Sequence, residues 1–191
     1  SMNRTLPEEL PRMHKVPQFE LTNQNGAAFG SDDLKGKIYI ANFMFTSCPT
    51  TCPRLMEKTQ VVQKRIRGMG SKVAIATITV DPENDTPEVL YKKSRELDSN
   101  PHVWTFLTGK KEEIRNLLID GYKVPMGDGP EATQAMVDGE PVTVWDIVHT
   151  EKMVLVDSEG FVRGYYSIDQ TGLDKMMIDL GLLANRTYTS S

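Results

Sequence analysis

Lys37-Ile38-Tyr39-Ile40-Ala41-Asn42-Phe43-Met44 runs directly into Phe45-Thr46-Ser47-Cys48-Pro49-Thr50-Thr51-Cys52-Pro53, and the change of pattern between the two stretches decides the fold. The first is β-branched and aromatic with little alternation, as in a strand covered on both faces, so it is placed centrally in a sheet. From Pro53 onward the apolar residues Leu55, Met56, Val62 and Ile66 keep to one face of a helix that Gly68 and Gly70 close. The pattern predicts a strand entering a helix, with both cysteines of the chain at the junction.

Residues 72–80 (KVAIATITV) read as a second buried strand. It runs into Asp81-Pro82-Glu83-Asn84-Asp85-Thr86-Pro87, where Thr86 can cap and Pro87 can begin a helix to about residue 97. Residues 104–107 give another strand, and Thr108 is the expected cap of a helix over residues 110–122. Residues 125–141, with Gly127, Gly129 and Gly139 among acidic and small side chains, break the pattern and read as a long loop. Strands over 152–156 and 161–166 flank the turn Asp157-Ser158-Glu159-Gly160, and 173–183 form a last helix.

On the N-terminal side, residues 19–21 and 27–29 make a hairpin able to cap a sheet edge. Parallel βαβ units followed by an antiparallel hairpin and a helix predict an α/β chain with a thioredoxin-like sheet. An N-terminal β-hairpin and a long loop insertion before the terminal β-hairpin complete the expectation. Residues 1–15 are expected to be a lead, 16–184 one domain and 185–191 a frayed tail.

At 191 residues and 39% hydrophobic content one core is expected. A net charge of −4 leaves no broad basic surface for phosphate backbones, so nucleic acid is not an expected partner. No run reaches the roughly 18 apolar residues of a membrane span. Ser1-Met2 reads as the remnant of a removed tag, so a signal peptide or membrane anchor is expected to precede this segment natively.

Cys48 and Cys52 are i and i+4, so a helical turn through them puts both on one face, and a helix start favours thiolate over thiol. Thiolate selects copper(I) or zinc, and a structural zinc site wants four protein ligands. The chain offers two cysteines and three histidines. His14 lies in the lead and His102 in an Asn100-Pro101 turn; with His149 they offer a third ligand more readily than a fourth, and two sulfurs with one ring nitrogen suit copper(I). The spacing by itself leaves open a local disulfide, a redox dithiol or two thiols without a role. His149 in isolation reads more commonly as a hydrogen-bonded histidine packed near a strand end than as a ligand. Met44, Met56 and Met153 fall in apolar patterns and read as core.

Together these stretches resemble the Sco family, also called SenC, copper proteins implicated in assembling the binuclear copper centre of cytochrome c oxidase. Residues 45–53 resemble the family's Phe/Tyr-x-x-Cys-Pro-x-x-Cys-Pro motif, and residues 80–87 its Asp-Pro-Glu-x-Asp-Thr segment. Val148-His149-Thr150 resembles the histidine segment before the terminal hairpin, and residues 162–166 are similar to bacterial members. Two positions depart from common patterns: Thr50 stands where many members are acidic, and Val148 where mitochondrial members often carry Asp.

The resemblance implies that Cys48 and Cys52 are thiolate ligands and the redox pair, and that His149 is the imidazole ligand. It implies copper(I), with copper(II) left open, as the bound metal. The implied partner is the copper-acceptor subunit of cytochrome c oxidase or another copper chaperone. The implied location is periplasmic or otherwise extracytoplasmic, with an anchor in the inner membrane. Asp81 and Asp85 match the family pattern, and their reading from the residues is a polar loop and a helix cap. Two other functions use the same residues: a thiol-disulfide reductase acting on the acceptor's cysteines, and a redox or copper sensor. A peroxiredoxin-like peroxidase fails, because its Pro-x-x-x-Thr-x-x-Cys pattern would need Pro at Ala41 and Thr at Phe45.

Overall fold

The computed structural model describes residues 10–48, 51–126, 136–137 and 140–189. In chain order, β1 (His14–Lys15), β2 (Glu20–Asn23) and β3 (Ala28–Gly30) precede a single turn, α1 (Ser31–Leu34). Then come β4 (Ile38–Met44), α2 (Thr51–Arg65), β5 (Val73–Thr79), α3 (Pro87–Glu96), β6 (Trp104–Thr108) and α4 (Lys111–Asn116). The chain closes with β7 (Met136–Val137), β8 (Glu140–Pro141), α5 (Val144–His149), β9 (Met153–Val156), β10 (Phe161–Tyr166) and α6 (Gln170–Thr189).

The strands form an eight-stranded sheet in the order β1-β10-β9-β4-β5-β6-β2-β3, with β7 and β8 paired apart from it. β4 and β5 run parallel from Ile38↔Val73 to Met44↔Thr79, and β6 continues the parallel set. β9 lies antiparallel on the other edge of β4. Every residue of β4, β5, β6 and β9 is buried, which is why their sequences carry apolar runs without alternation. The β2–β3 hairpin caps a sheet edge, as expected, and the edge it caps is β6. Met44, Met56 and Met153 are core residues.

Polar residues within these strands are paired with one another. Trp104 Nε1 donates to Thr77 Oγ1 at 2.8 Å, and Thr77 Oγ1 donates to Asn42 Oδ1 at 2.7 Å. Asn42 Nδ2 donates to Thr59 Oγ1 at 2.9 Å, whose hydroxyl donates to the Leu55 carbonyl at 2.7 Å. This satisfied chain pins α2 onto β4 one and two turns below Cys52, a direction that an apolar contact alone would leave looser.

Several boundaries differ from expectation for local reasons. α2 begins at Thr51, so Cys52 and Pro53 both lie in its first turn, where a proline costs no intrahelical bond. Gly68 and Gly70 belong to a 3₁₀ segment, Arg67–Lys72, in which Gly70 takes the left-handed φ of 62°. Thr108 does not cap α4: it is consumed by β6, where it pairs with Thr22, and Lys110 precedes the helix without a side-chain cap. Residues Leu117–Tyr122 form a π-helical turn.

Part of the long loop, 127–135 and 138–139, lies outside the described residues. Where the loop ends, α5 appears, an element the pattern did not announce. Its start is a capping box, with Thr143 Oγ1 accepting the Asp146 N–H at 3.2 Å and Asp146 Oδ2 accepting the Thr143 N–H at 2.8 Å. The sheet also reaches into the stretch expected as a lead, since His14 and Lys15 pair with Val162 and Phe161. At the other terminus α6 runs to Thr189, through most of the stretch expected to fray.

Candidate functional site

β4 and β5 end side by side, and the loops that leave them build the site. The Val80 N–H donates to the Met44 carbonyl at 2.9 Å, carrying the ladder one step past β5. Beyond Met44, the Cys48 N–H returns to the Phe45 carbonyl at 3.1 Å, closing a turn over residues 45–48. Pro49 and Thr50 lie outside the described residues. Cys48 and Cys52 are 8% and 4% exposed, and the Cys52 N–H points at Cys48 Sγ across 3.4 Å. The first N–H groups of a helix lack intrahelical acceptors and carry the positive end of its dipole. Here a sulfur supplies the acceptor, in a position that favours negative charge on it.

The neighbouring β5–α3 loop holds Asp85, whose expected roles are a polar loop position and a helix cap. Thr86 caps α3 as expected, its hydroxyl accepting the Val89 N–H at 3.4 Å. Asp85 is not the cap. It is 0% exposed and its carboxylate turns back toward the cysteine loop. It accepts the Thr46 N–H at 3.0 Å, the Thr46 hydroxyl, the Thr79 hydroxyl at 2.6 Å and Asn84 Nδ2 at 3.3 Å. No spacing rule exposes a bond between residues 39 positions apart. The clues in the sequence were its match to the Asp-Pro-Glu-x-Asp-Thr segment and its place directly before a helix that Thr86 already caps.

α5 touches the same loop from another side. The rings of Phe45 and Trp145 meet edge to face with centroids 5.0 Å apart. Arg54, two residues past Cys52, pairs with Glu151 just beyond α5. His149 sits between these contacts on the last turn of α5, exposed, while Ile147 and Val148 are buried beneath it. The other histidines have separate settings. His14 Nε2 lies 3.0 Å from the Tyr122 carbonyl and 3.2 Å from the Tyr165 hydroxyl. Burial lowers its pKa, the Tyr122 carbonyl opposes that shift, and Lys123 adds to it. The His102 N–H is held by Asn100 Oδ1 in an exposed turn.

The structure therefore brings Cys48 and Cys52 to one helix start and ties α5, which ends at His149, to the same region through Trp145 on Phe45 and Glu151 on Arg54. Among the described residues no three His, Cys, Asp or Glu side chains are assembled closely enough to hold a metal ion. A cleft of about 370 Å³ opens at the far end of the sheet, lined by Lys15, Asp32, Lys35 and Glu159 among others, and none of the cysteine-loop residues lines it.

A family profile described as SCO1/SenC matches residues 7–180. The chain belongs to the SCO1/SenC family. A SCO1/SenC family lipoprotein from Bacillus anthracis strain Ames is 30% identical, with a TM-score of 0.71 over 89% of this chain and 95% of that one. BsSco, a member of the Sco family of cytochrome c oxidase assembly proteins in which a disulfide switch was identified, is 26% identical, with a TM-score of 0.73 over 94% and 99%. Copper-bound ScoI of Bradyrhizobium japonicum is 27% identical, with a TM-score of 0.65 over 89% and 99%. The fold of this SCO1/SenC chain is thioredoxin-like, as its order of elements predicts.

Proposed function

We propose that this SCO1/SenC protein binds one copper ion through the thiolates of Cys48 and Cys52 and the imidazole of His149, and delivers it to, or matures, the binuclear copper centre of cytochrome c oxidase. One observation carries the reading: two cysteines share a helix start, with the Cys52 N–H on Cys48 Sγ, beside a segment that carries an exposed histidine. The copper-bound ScoI and the cytochrome c oxidase assembly family of BsSco support it from outside the chain.

The donor set explains why copper suits it. Two soft thiolates and an imidazole satisfy copper(I) at low coordination, whereas structural zinc would call for a fourth protein ligand. His149 is exposed, so its side chain is free to change rotamer and complete the set. Copper is cargo here: it displaces thiol protons on entry and leaves by ligand exchange onto the acceptor's own soft ligands. Joining Cys48 to Cys52 as a disulfide removes two protons, two electrons and two ligands together, so redox state gates copper occupancy. The acceptor is the copper-binding subunit of the oxidase or a second copper chaperone. We place the domain on the extracytoplasmic or periplasmic face of the inner membrane, anchored there by a preceding segment, a reading supported by the lipoprotein relative. Among the described residues no helix is long and apolar enough to cross a membrane.

The disulfide switch of BsSco favours a second reading, a thiol-disulfide reductase that keeps the acceptor's cysteines reduced, with Cys48 as the attacking thiolate. Copper(I) titration of the fully reduced protein, with metal counted per chain, separates the two. The expected result is one copper per chain, at least a tenfold weaker affinity in His149→Ala, and unchanged dithiol exchange in that variant. Undiminished copper affinity in His149→Ala, or in the disulfide form, overturns the ligand assignment.

A further inference from the structure

Asp85 presents a problem of placement. Burying a carboxylate is costly and is tolerated only where hydrogen bonds to it are dense. All four groups that bond it are neutral: the Thr46 N–H and hydroxyl, the Thr79 hydroxyl and the Asn84 amide. A loop that needed only to end β5 and begin α3 could be built without it, because Thr86 already caps the helix. What the carboxylate adds is a hold on a different loop, through both donors of a single residue, Thr46.

We propose that Asp85 is a positioning residue for the dithiol: by clamping Thr46 it fixes the turn that aims Cys48 at Cys52. Asp85 is itself held from behind. Thr79, the last residue of β5, donates to it at 2.6 Å and accepts the Asp81 N–H at 3.0 Å, and the Asp85 N–H closes on the Asp81 carbonyl at 2.8 Å. From this base the carboxylate reaches Thr46, with only Ser47 between Thr46 and Cys48. The Cys48 N–H bond back to Phe45 makes residues 45–48 one rigid turn, so a shift at Thr46 moves Cys48. Cys52 is held by other means, through α2 and the Asn42, Thr59 and Thr77 chain beneath it. The two sulfurs therefore answer to separate clamps, and the Asp85 clamp sets one sulfur relative to the other. Disulfide closure and shared ligation both depend on that relation. The inference rests on the proposed joint role of Cys48 and Cys52.

The test is the dithiol-disulfide equilibrium of the full chain against reduced and oxidised dithiothreitol. In it two protons and two electrons pass from the protein thiols to the cyclic reagent disulfide, which opens to a dithiol. Asp85→Asn keeps the shape and turns one acceptor into a donor facing donors; Thr46→Val removes the hydroxyl; Thr46→Ser retains both donors. Leu180→Ala, buried in α6 away from the loop, serves as a destabilised control. Asp85→Asn and Thr46→Val each shift the equilibrium constant at least fivefold, and the double variant moves it no further than the larger single change. Thr46→Ser and Leu180→Ala stay within twofold of wild type, the latter despite a lower melting temperature. Shifts under fivefold in both Asp85→Asn and Thr46→Val, or an equal shift in Leu180→Ala, overturn the proposal. Copper(I) titration of the same proteins is read separately. A wild type that takes up no copper while the variants shift the equilibrium retires the copper reading and leaves the role of Asp85 standing.

Discussion

Two buried carboxylates lie at opposite ends of the same sheet and are held in opposite ways. Asp157, past the end of β9, pairs with Arg163 at 2.8 Å, both side chains about 7% exposed. The remaining guanidinium N–H groups donate to the Pro11 carbonyl at 3.1 Å and the Leu10 carbonyl at 2.5 Å. The Glu159 and Phe161 N–H groups complete the Asp157 site at 2.9 and 3.0 Å. That end is a charge-neutral staple fastening the N-terminal residues to the β9–β10 turn. At the cysteine end Asp85 has neutral donors, and what it fastens is a turn carrying a cysteine. Asp157 is bonded by a guanidinium and fastens a terminus, whereas Asp85 is bonded by hydroxyl and amide donors and fastens the turn that carries Cys48.

The largest expected effect is that of Arg163→Ala. It strands Asp157 as a buried, unpaired charge and is expected to cost about 3–5 kcal/mol in urea unfolding. Its dithiol equilibrium should stay at the wild-type value. A shift matching that of Asp85→Asn would show that the two ends are not independent.

Asp85→Asn should cost less, about 1–3 kcal/mol by the same measurement, because it mispairs hydrogen bonds without stranding a charge. Thr86→Ala should cost about 1 kcal/mol by removing the α3 cap, and leave Cys48 alkylation rates unchanged. That outcome would separate holding the helix from holding the cysteine turn within a single loop.

Smallest is the pH effect at His14, which packs beside Tyr165 near the stapled end. Its pKa is lowered by burial in the fold, so the unfolded chain binds more protons in the window below its ordinary value of 6.5. Stability is thus fully present above pH 6.5 and falls as pH drops through the lowered value. Unfolding free energies from pH 7.5 to 5 should decline more steeply in wild type than in His14→Gln. Equal slopes would remove His14 from the account.

Legibility in the sequence followed the range of the interactions. β4 and β5 were plain because strands buried on both faces must be apolar throughout. The cysteine pair was plain because only three residues separate the two, and the structure keeps them together with Cys48 just before α2 and Cys52 in its first turn. α5 was not, since six helical residues after a glycine-rich stretch give too few turns for a period, and only the Thr143 and Asp146 box marked it. β1 was hidden for the same reason, as two residues cannot show an alternation.

The sequence alone determined the order of the longer strands and helices, the central strands and the residues with soft-ligand chemistry, because each depends on neighbours within a few positions. Only the tertiary structure decided that Asp85 reaches Thr46, that α5 is tied down by Trp145 on Phe45 and Glu151 on Arg54, and that Arg163 fastens residues 10 and 11. Those contacts join residues between 39 and 153 positions apart. Local pattern carries no trace of them, because they come into being only when the sheet sets the ends of its strands side by side.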